Sequence, residues 1–166
     1  MLLVSISLLL LISGIYYGMR ELALHIADHV TVIATRSPWS PDGPSGSIVY
    51  QHTFGHTLAA DAEHLLNHET SAPSYLSYLS TLPGGTALVG GLNWHYRLTF
   101  TWHGIVIETA DMTAMDSPER FSISALGLPD LRPHITKNSL EGGSIIAQLA
   151  RDSGGAIPLS WGLTAA

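Results

Sequence analysis

The chain has 166 residues, of which 46% are apolar and 12% are charged, and it contains no cysteine. Seven Lys and Arg stand against thirteen Asp and Glu, which gives a formal charge of −6. This composition excludes disulfide scaffolds, iron–sulfur clusters and cysteine nucleophiles, and the lack of a basic run argues against nucleic acid as a partner.

The first predicted element is a membrane-spanning helix over residues 1–19. The stretch MLLVSISLLLLISGIYYGM has no charged side chain and just reaches the roughly 17–20 apolar residues that a bilayer requires. A cleaved signal peptide would have a basic start and a small-x-small cleavage site, and neither is present. Tyr16 and Tyr17 are suited to anchor the helix at the membrane interface. We therefore expect a retained single-pass helix whose partner is the lipid bilayer.

The next predicted element, over residues 20–36, is an amphipathic helix that continues the span. Apolar residues recur there at steps of four and three, which is typical of one helix face. Ser37-Pro38 would end this helix, because the residue before proline avoids helical backbone. The apolar face predicts an interface with other protein subunits, formed by Leu22, Ile26, Val30 and Ile33.

The N-terminal part of the chain resembles the TadE-like family of pilus-assembly proteins and, more loosely, pilins. The resemblance rests on LLLLISGIYYGMRELALHIADHVTVIATRSP, residues 8–38, which is less than a fifth of the chain. It implies an apolar helix that continues as an amphipathic helix into a small extracytoplasmic domain. Ser5 departs from the family, because pilin-type proteins usually have Glu at the fifth mature position.

Residues 37–47 contain three prolines and two glycines and are predicted to be a linker. The rest, residues 48–166, is predicted to be a small α+β domain with an antiparallel β-hairpin or sheet and short helices. Trp94, Tyr96, Leu98, Phe100 and Trp102 alternate with polar residues, as in a half-buried strand, and His103-Gly104 would turn the chain into a return strand. The other predicted elements are helices at about Thr57–Glu69 and Leu140–Gly155 and a strand at Phe121–Ala125.

Histidines give the candidate metal ligands. The stretch HTFGHTLAADAEHLLNHE carries two His-x-x-x-His pairs, and side chains four apart share a helix face, where both imidazoles can reach one metal. The candidate ligands are Asp61, His64, His68, His52 and His56. The alternative, which we favour, is a polar surface or interface helix, because Leu58, Ala62 and Leu65 define its buried side. No metal ion or other cofactor is therefore expected.

The chain has no nucleophile elbow, P-loop or dinucleotide fingerprint, so no catalytic residue is assigned and no enzymatic activity is expected. The predicted membrane attachment and the exposed apolar face of the long helix favour a non-enzymatic, membrane-anchored structural subunit of a larger assembly, first of all a pilus-like or cell-surface assembly. Two alternatives are an accessory subunit of a photosynthetic or respiratory membrane complex and a membrane-tethered, histidine-rich metal-binding protein. Few lysines and many Ser, Thr and Gly favour an extracytoplasmic position for the C-terminal domain, in the periplasm or at the cell surface.

Overall fold

The structure is a computed structural model. It describes residues 26–38, 47–71, 92–114, 120–130, 134–137 and 144–159, together with seven positions between residues 7 and 18. Those seven positions and Ile26 have α-helical backbone. Within the described ranges, no helix is both long and apolar enough to cross a membrane.

An antiparallel sheet of eight strands dominates the described structure. The strands are β1 (His29–Pro38), β2 (Ser47–Phe54), β3 (Thr70–Ser71), β4 (Leu92–Trp102), β5 (Ile105–Ala114), β6 (Arg120–Ala125), β7 (Leu128–Pro129) and β8 (His134–Thr136). Their order is β2-β1-β4-β5-β6-β8-β3, with β7 paired to β6. Among the described residues, two further elements are the helices α1 (His56–His68) and α2 (Ile145–Asp152).

One face of the sheet forms the core together with both helices. Alternate side chains of each strand point to this face, as the two-residue period of a strand requires. In β1 these are Val30, Val32 and Ala34, all fully buried. The same core cluster includes Tyr96, Leu98 and Phe100 from β4, Leu58, Ala59, Ala62 and Leu66 from α1, and Ile145, Ile146, Leu149 and Ala150 from α2.

The opposite face of the sheet is polar. One row across five strands consists of hydroxyl residues in register: Thr53, Thr31, Thr99, Thr109 and Ser124. The Thr31 and Thr53 hydroxyls are 2.8 Å apart. In the neighbouring row, Arg97 Nε donates a hydrogen bond to Asp111 Oδ1 at 2.6 Å. This carboxylate raises the pKa of the Arg97 guanidinium above its usual range.

The predicted fold class, with a long N-terminal membrane-spanning helix that continues as an amphipathic helix, is wrong. Residues 29–38, which the prediction placed largely in the second half of that helix, form β1, which pairs with β2 and β4. Five of its ten residues are β-branched, and such side chains fit a pleated sheet better than a helix. Val30 and Ile33 therefore lie on opposite faces of a strand and do not share a helix stripe. The sheet also includes residues on both sides of the predicted linker.

The predicted hairpin is present. β4 and β5 pair directly, with Trp102 opposite Ile105 and the chain reversing at His103-Gly104. The predicted helices and the third strand are also found, with ends shifted: α1 covers residues 56–68, α2 covers 145–152, and β6 covers 120–125. The Ser144 side chain caps α2 by accepting a hydrogen bond from the Ala147 backbone at 3.0 Å.

Of the predicted linker, residues 39–46 lie outside the described residues.

Candidate functional site

Several chain reversals meet at one end of the sheet, which we call the hairpin end. β1 starts there, because its first residue, His29, pairs with Thr101 near the end of β4. The β4–β5 turn lies at the same end, directly after Trp102. The β6–β7 turn lies beside it, since the Leu126 backbone N–H donates to the Ile107 carbonyl at 2.9 Å. Residues distant in sequence therefore form one continuous edge.

Both turns at the hairpin end have left-handed backbone at two successive residues. The φ values are 48° at His103 and 80° at Gly104, and 50° at Leu126 and 77° at Gly127. Two positive φ values in a two-residue loop match the right-handed twist of the flanking strands. Glycine adopts this conformation freely, whereas a residue with a Cβ does so at a cost of about 1–2 kcal/mol. Leu126 is therefore held in an unfavourable conformation that leaves its side chain 42% exposed.

Large apolar side chains are exposed around these turns. Trp102 is 41% exposed, Ile105 58%, Val106 48% and Leu128 54%, in addition to Leu126. Residues 102–107 and 124–129 include no Asp, Glu, Lys or Arg. A concentration of exposed apolar side chains marks an interaction surface more often than scattered single ones do. These five residues form the candidate site.

Asp28 links the start of β1 to the β4–β5 turn. Its backbone N–H donates to the Thr101 carbonyl at 2.9 Å, and its Oδ2 accepts from the His103 backbone N–H at 2.7 Å. Its Oδ1 lies 3.0 Å from His29 Nδ1. The hydrogen bond from the His103 backbone, followed by that from His29, holds the pKa of the Asp28 carboxyl below its ordinary value of 3.8. The carboxylate therefore fixes the chain entering the sheet against the turn.

The candidate metal ligands are all exposed on the surface. Asp61, His64 and His68 are on the exposed face of α1, and the His64 and His68 ring centroids are 4.4 Å apart. His52 is exposed on β2, with its ring edge-on to Phe54 at 4.7 Å. His56 is the first residue of α1.

A depression of about 340 Å³ at the start of α1 is lined by His56 and Asp61 on α1 and by Asp152 at the end of α2. No three His, Asp or Glu side chains of the described residues converge closely enough to hold a metal ion. Of the predicted ligand set, the structure places the His64 and His68 rings side by side and His56 and Asp61 at the same depression. The expectation that the protein holds no metal stays a prediction.

Of the four predicted interface residues, the three that the structure describes do not share one exposed face. Ile26 is partly buried against the core, Val30 is fully buried within it, and Ile33 is half-buried on the polar face. Leu22 and the predicted membrane anchors Tyr16 and Tyr17 lie outside the described residues. The helical stripe does not exist as predicted, and contact with a partner stays a prediction.

Burial of ionisable groups was not foreseen from the sequence. Glu63 on α1 and Glu108 on β5 are each 1% exposed. His134 Nε2 and Asp130 Oδ2 are 3.0 Å apart, with both side chains 6% exposed. A buried carboxylate or imidazole requires polar partners, often from distant elements, and such pairing leaves no local signal. These groups lie within the packed structure and open onto no described cavity.

Comparison with known proteins gives no relative: no family model matches the chain, and no curated protein or solved structure gives a significant match. The resemblance to TadE-like proteins therefore stays a prediction.

Proposed function

We propose that the protein is a non-enzymatic, membrane-attached subunit of a larger assembly. The observation that carries the proposal is the exposure of apolar side chains at helical positions within the charge-free stretch of residues 1–19. Leu8, Leu11, Ile12 and Ile15 are 56%, 59%, 50% and 52% exposed. Their spacing of three and four residues places them on one side of a helix.

This apolar side favours attachment to something outside the chain. Fully burying one Leu or Ile side chain stabilises a protein by about 1.5–3 kcal/mol, and each of these four leaves half or more of that contribution unused. Lipid is the occupant we propose for the stretch as a whole, because its 19 residues include no charge. A partner subunit in the same membrane would contact the side of residues 1–19 that does not face lipid.

The type of assembly follows from composition. The chain has a single lysine, Lys137, and its sheet is rich in threonine, serine and aromatic residues, which supports an extracytoplasmic position for the sheet domain. We place a pilus-like or cell-surface assembly first. An accessory role in a membrane bioenergetic complex is the alternative of the same class.

Flotation with phosphatidylcholine vesicles tests the attachment. We expect the full chain to float with the vesicles and Leu11→Lys/Ile15→Lys to remain mostly in the aqueous fraction. Ile48→Lys is the matched control, since Ile48 is an equally exposed apolar residue, 59%, on β2. Equal flotation of both variants would contradict the proposal. Recovery of the native protein in mild detergent, followed by identification of stoichiometric partners, tests the assembly.

A membrane-tethered metal-binding protein is the second candidate, favoured by the adjacent His64 and His68 rings. Two imidazoles supply only half of the ligands of a structural zinc site. Metal analysis of the protein as purified tests it: stoichiometric zinc or copper that is lost in His64→Ala/His68→Ala would favour this candidate over the first.

A further inference from the structure

We propose that the hairpin end is a second membrane contact, which inserts Trp102, Ile105, Val106, Leu126 and Leu128 into the interface of a zwitterionic bilayer. This inference rests on the proposed membrane attachment and adds an orientation: the sheet would stand with its hairpin end toward the lipid.

The first argument is the position at which the chain enters the sheet. Only nine residues, 20–28, separate the charge-free stretch from β1. They extend about 13 Å as a helix and at most about 30 Å when fully stretched. Since Asp28 is bonded to the β4–β5 turn, a membrane that holds residues 1–19 keeps this turn within that distance.

The second argument is the chemistry of the exposed edge. Leu126 lies at the tip of the β6–β7 turn, while Trp102 and Ile105 flank the His103-Gly104 tip of the β4–β5 turn, with Trp102 41% exposed. Tryptophan prefers the membrane–water boundary, where its ring is partly apolar and its N–H stays hydrated. The turn backbones are internally paired through Leu126 and Ile107, which lowers the cost of bringing a turn near lipid.

The third argument, from charge, selects the type of lipid. Neither turn region includes Lys or Arg, and the carboxylate of Asp28 lies against the β4–β5 turn. Anionic lipids attract basic segments, and this edge has none to offer. Binding should therefore not increase when phosphatidylglycerol is added to phosphatidylcholine.

The chain has no cysteine, so a single introduced thiol can carry an environment-sensitive fluorophore. We would label Ile105→Cys and Leu128→Cys in the full chain, attached to phosphatidylcholine vesicles that contain brominated lipid. The control label is Ser47→Cys, which is exposed on β2 and pairs with Arg36 at the opposite end of the sheet. We expect blue-shifted, quenched emission from positions 105 and 128 and unshifted, unquenched emission from position 47.

A second set of variants tests cooperation between the turns. Ile105→Asp in the Leu128→Cys chain should reverse the shift at position 128, whereas Ile48→Asp should leave it unchanged. Aqueous emission from both turn labels, with flotation intact, would overturn this inference and leave the proposed attachment standing. Failure of the unmodified chain to float would overturn both.

A blue shift that occurs without lipid and grows with protein concentration would assign the edge to a second copy of the chain. That result would also overturn the inference.

Discussion

At the scale of single residues, Asp28 determines how the hairpin end is held together. Its side chain accepts two hydrogen bonds, from the His103 backbone and from His29, while its backbone donates to Thr101. This role is not predictable from local sequence, because the helical pattern of residues 20–36 places Asp28 inside a helix. Its partner at position 103 is 75 residues away, and only the pairing of β1 with β4 brings them together.

We expect Asp28→Ala to lower the melting temperature at neutral pH, because the His103 N–H loses its acceptor. The folded-state pKa lies below the ordinary value of 3.8, so the stabilisation is present above pH 3.8 and is lost as pH falls through the folded-state pKa. The difference between wild type and Asp28→Ala should therefore shrink under strongly acidic conditions. Thermal unfolding followed by circular dichroism measures it.

Asp61→Asn is the control for this experiment, since Asp61 is exposed on α1 and is not part of the hairpin end. Its melting temperature should stay close to that of wild type at every pH. A melting temperature of Asp28→Ala that is unchanged at neutral pH would contradict the role assigned to Asp28.

At the scale of elements, β1 shows why helical spacing of apolar residues predicted a helix where the chain forms a strand. Leu22, Ile26, Val30 and Ile33 recur at helical spacing, but Val30, Val32 and Ala34 recur at strand spacing in the same stretch. The run of β-branched residues was the signal that favoured the strand. In β4 the period of two was unbroken over nine residues and His-Gly marked the turn, so the hairpin was predictable from local sequence.

The two faces of β1 should respond differently to a charge. Val32 is fully buried, so Val32→Asp places an unpaired carboxylate in the core and should destabilise the fold by several kcal/mol. Ile33 is on the polar face, opposite Arg97, so Ile33→Asp should change the free energy of unfolding by less than about 1 kcal/mol. Urea denaturation measures both.

A helix over residues 20–36 would expose Val32 and bury Ile33 in the predicted interface. Greater destabilisation by Ile33→Asp than by Val32→Asp would therefore contradict the assignment of β1 to the core sheet.

At the scale of the whole molecule, the candidate site depends on sheet order, which the sequence pattern does not reveal. The alternation in the sequence places Trp102 on the same strand face as Trp94 and Tyr96. Trp94 and Tyr96 do stack, with ring centroids 6.1 Å apart, but Trp102 lies at the exposed tip. The β6–β7 turn joins that tip because β5 pairs with β6. Such a surface arises only from the assembled sheet.

Charge reversal is the prediction that belongs to the molecule as a whole. Each of the nine histidines adds one positive charge when it is protonated, so protonation of all nine would take the formal charge from −6 to +3. Burial lowers the pKa of His95 below its ordinary value of 6.5, and the nearby Asp111 carboxylate offsets part of this effect. As pH falls, the His95 imidazole should therefore gain its proton at a lower pH than an unperturbed histidine. We expect electrophoretic mobility in detergent to change sign near the calculated pI of 5.8. Migration toward the anode that persists well below that pH would contradict this prediction.

The position of β1 between β2 and β4 has a consequence for biosynthesis. β1 leaves the ribosome well before its partner β4, since His29 pairs with Thr101, which follows it by 72 residues. At a translation rate of about 5–20 residues per second, β1 waits on the order of several seconds for that partner. Meanwhile it can pair only with β2, and an isolated two-stranded hairpin is marginally stable. The nascent chain therefore presents an open strand edge to chaperones and proteases until β4 emerges.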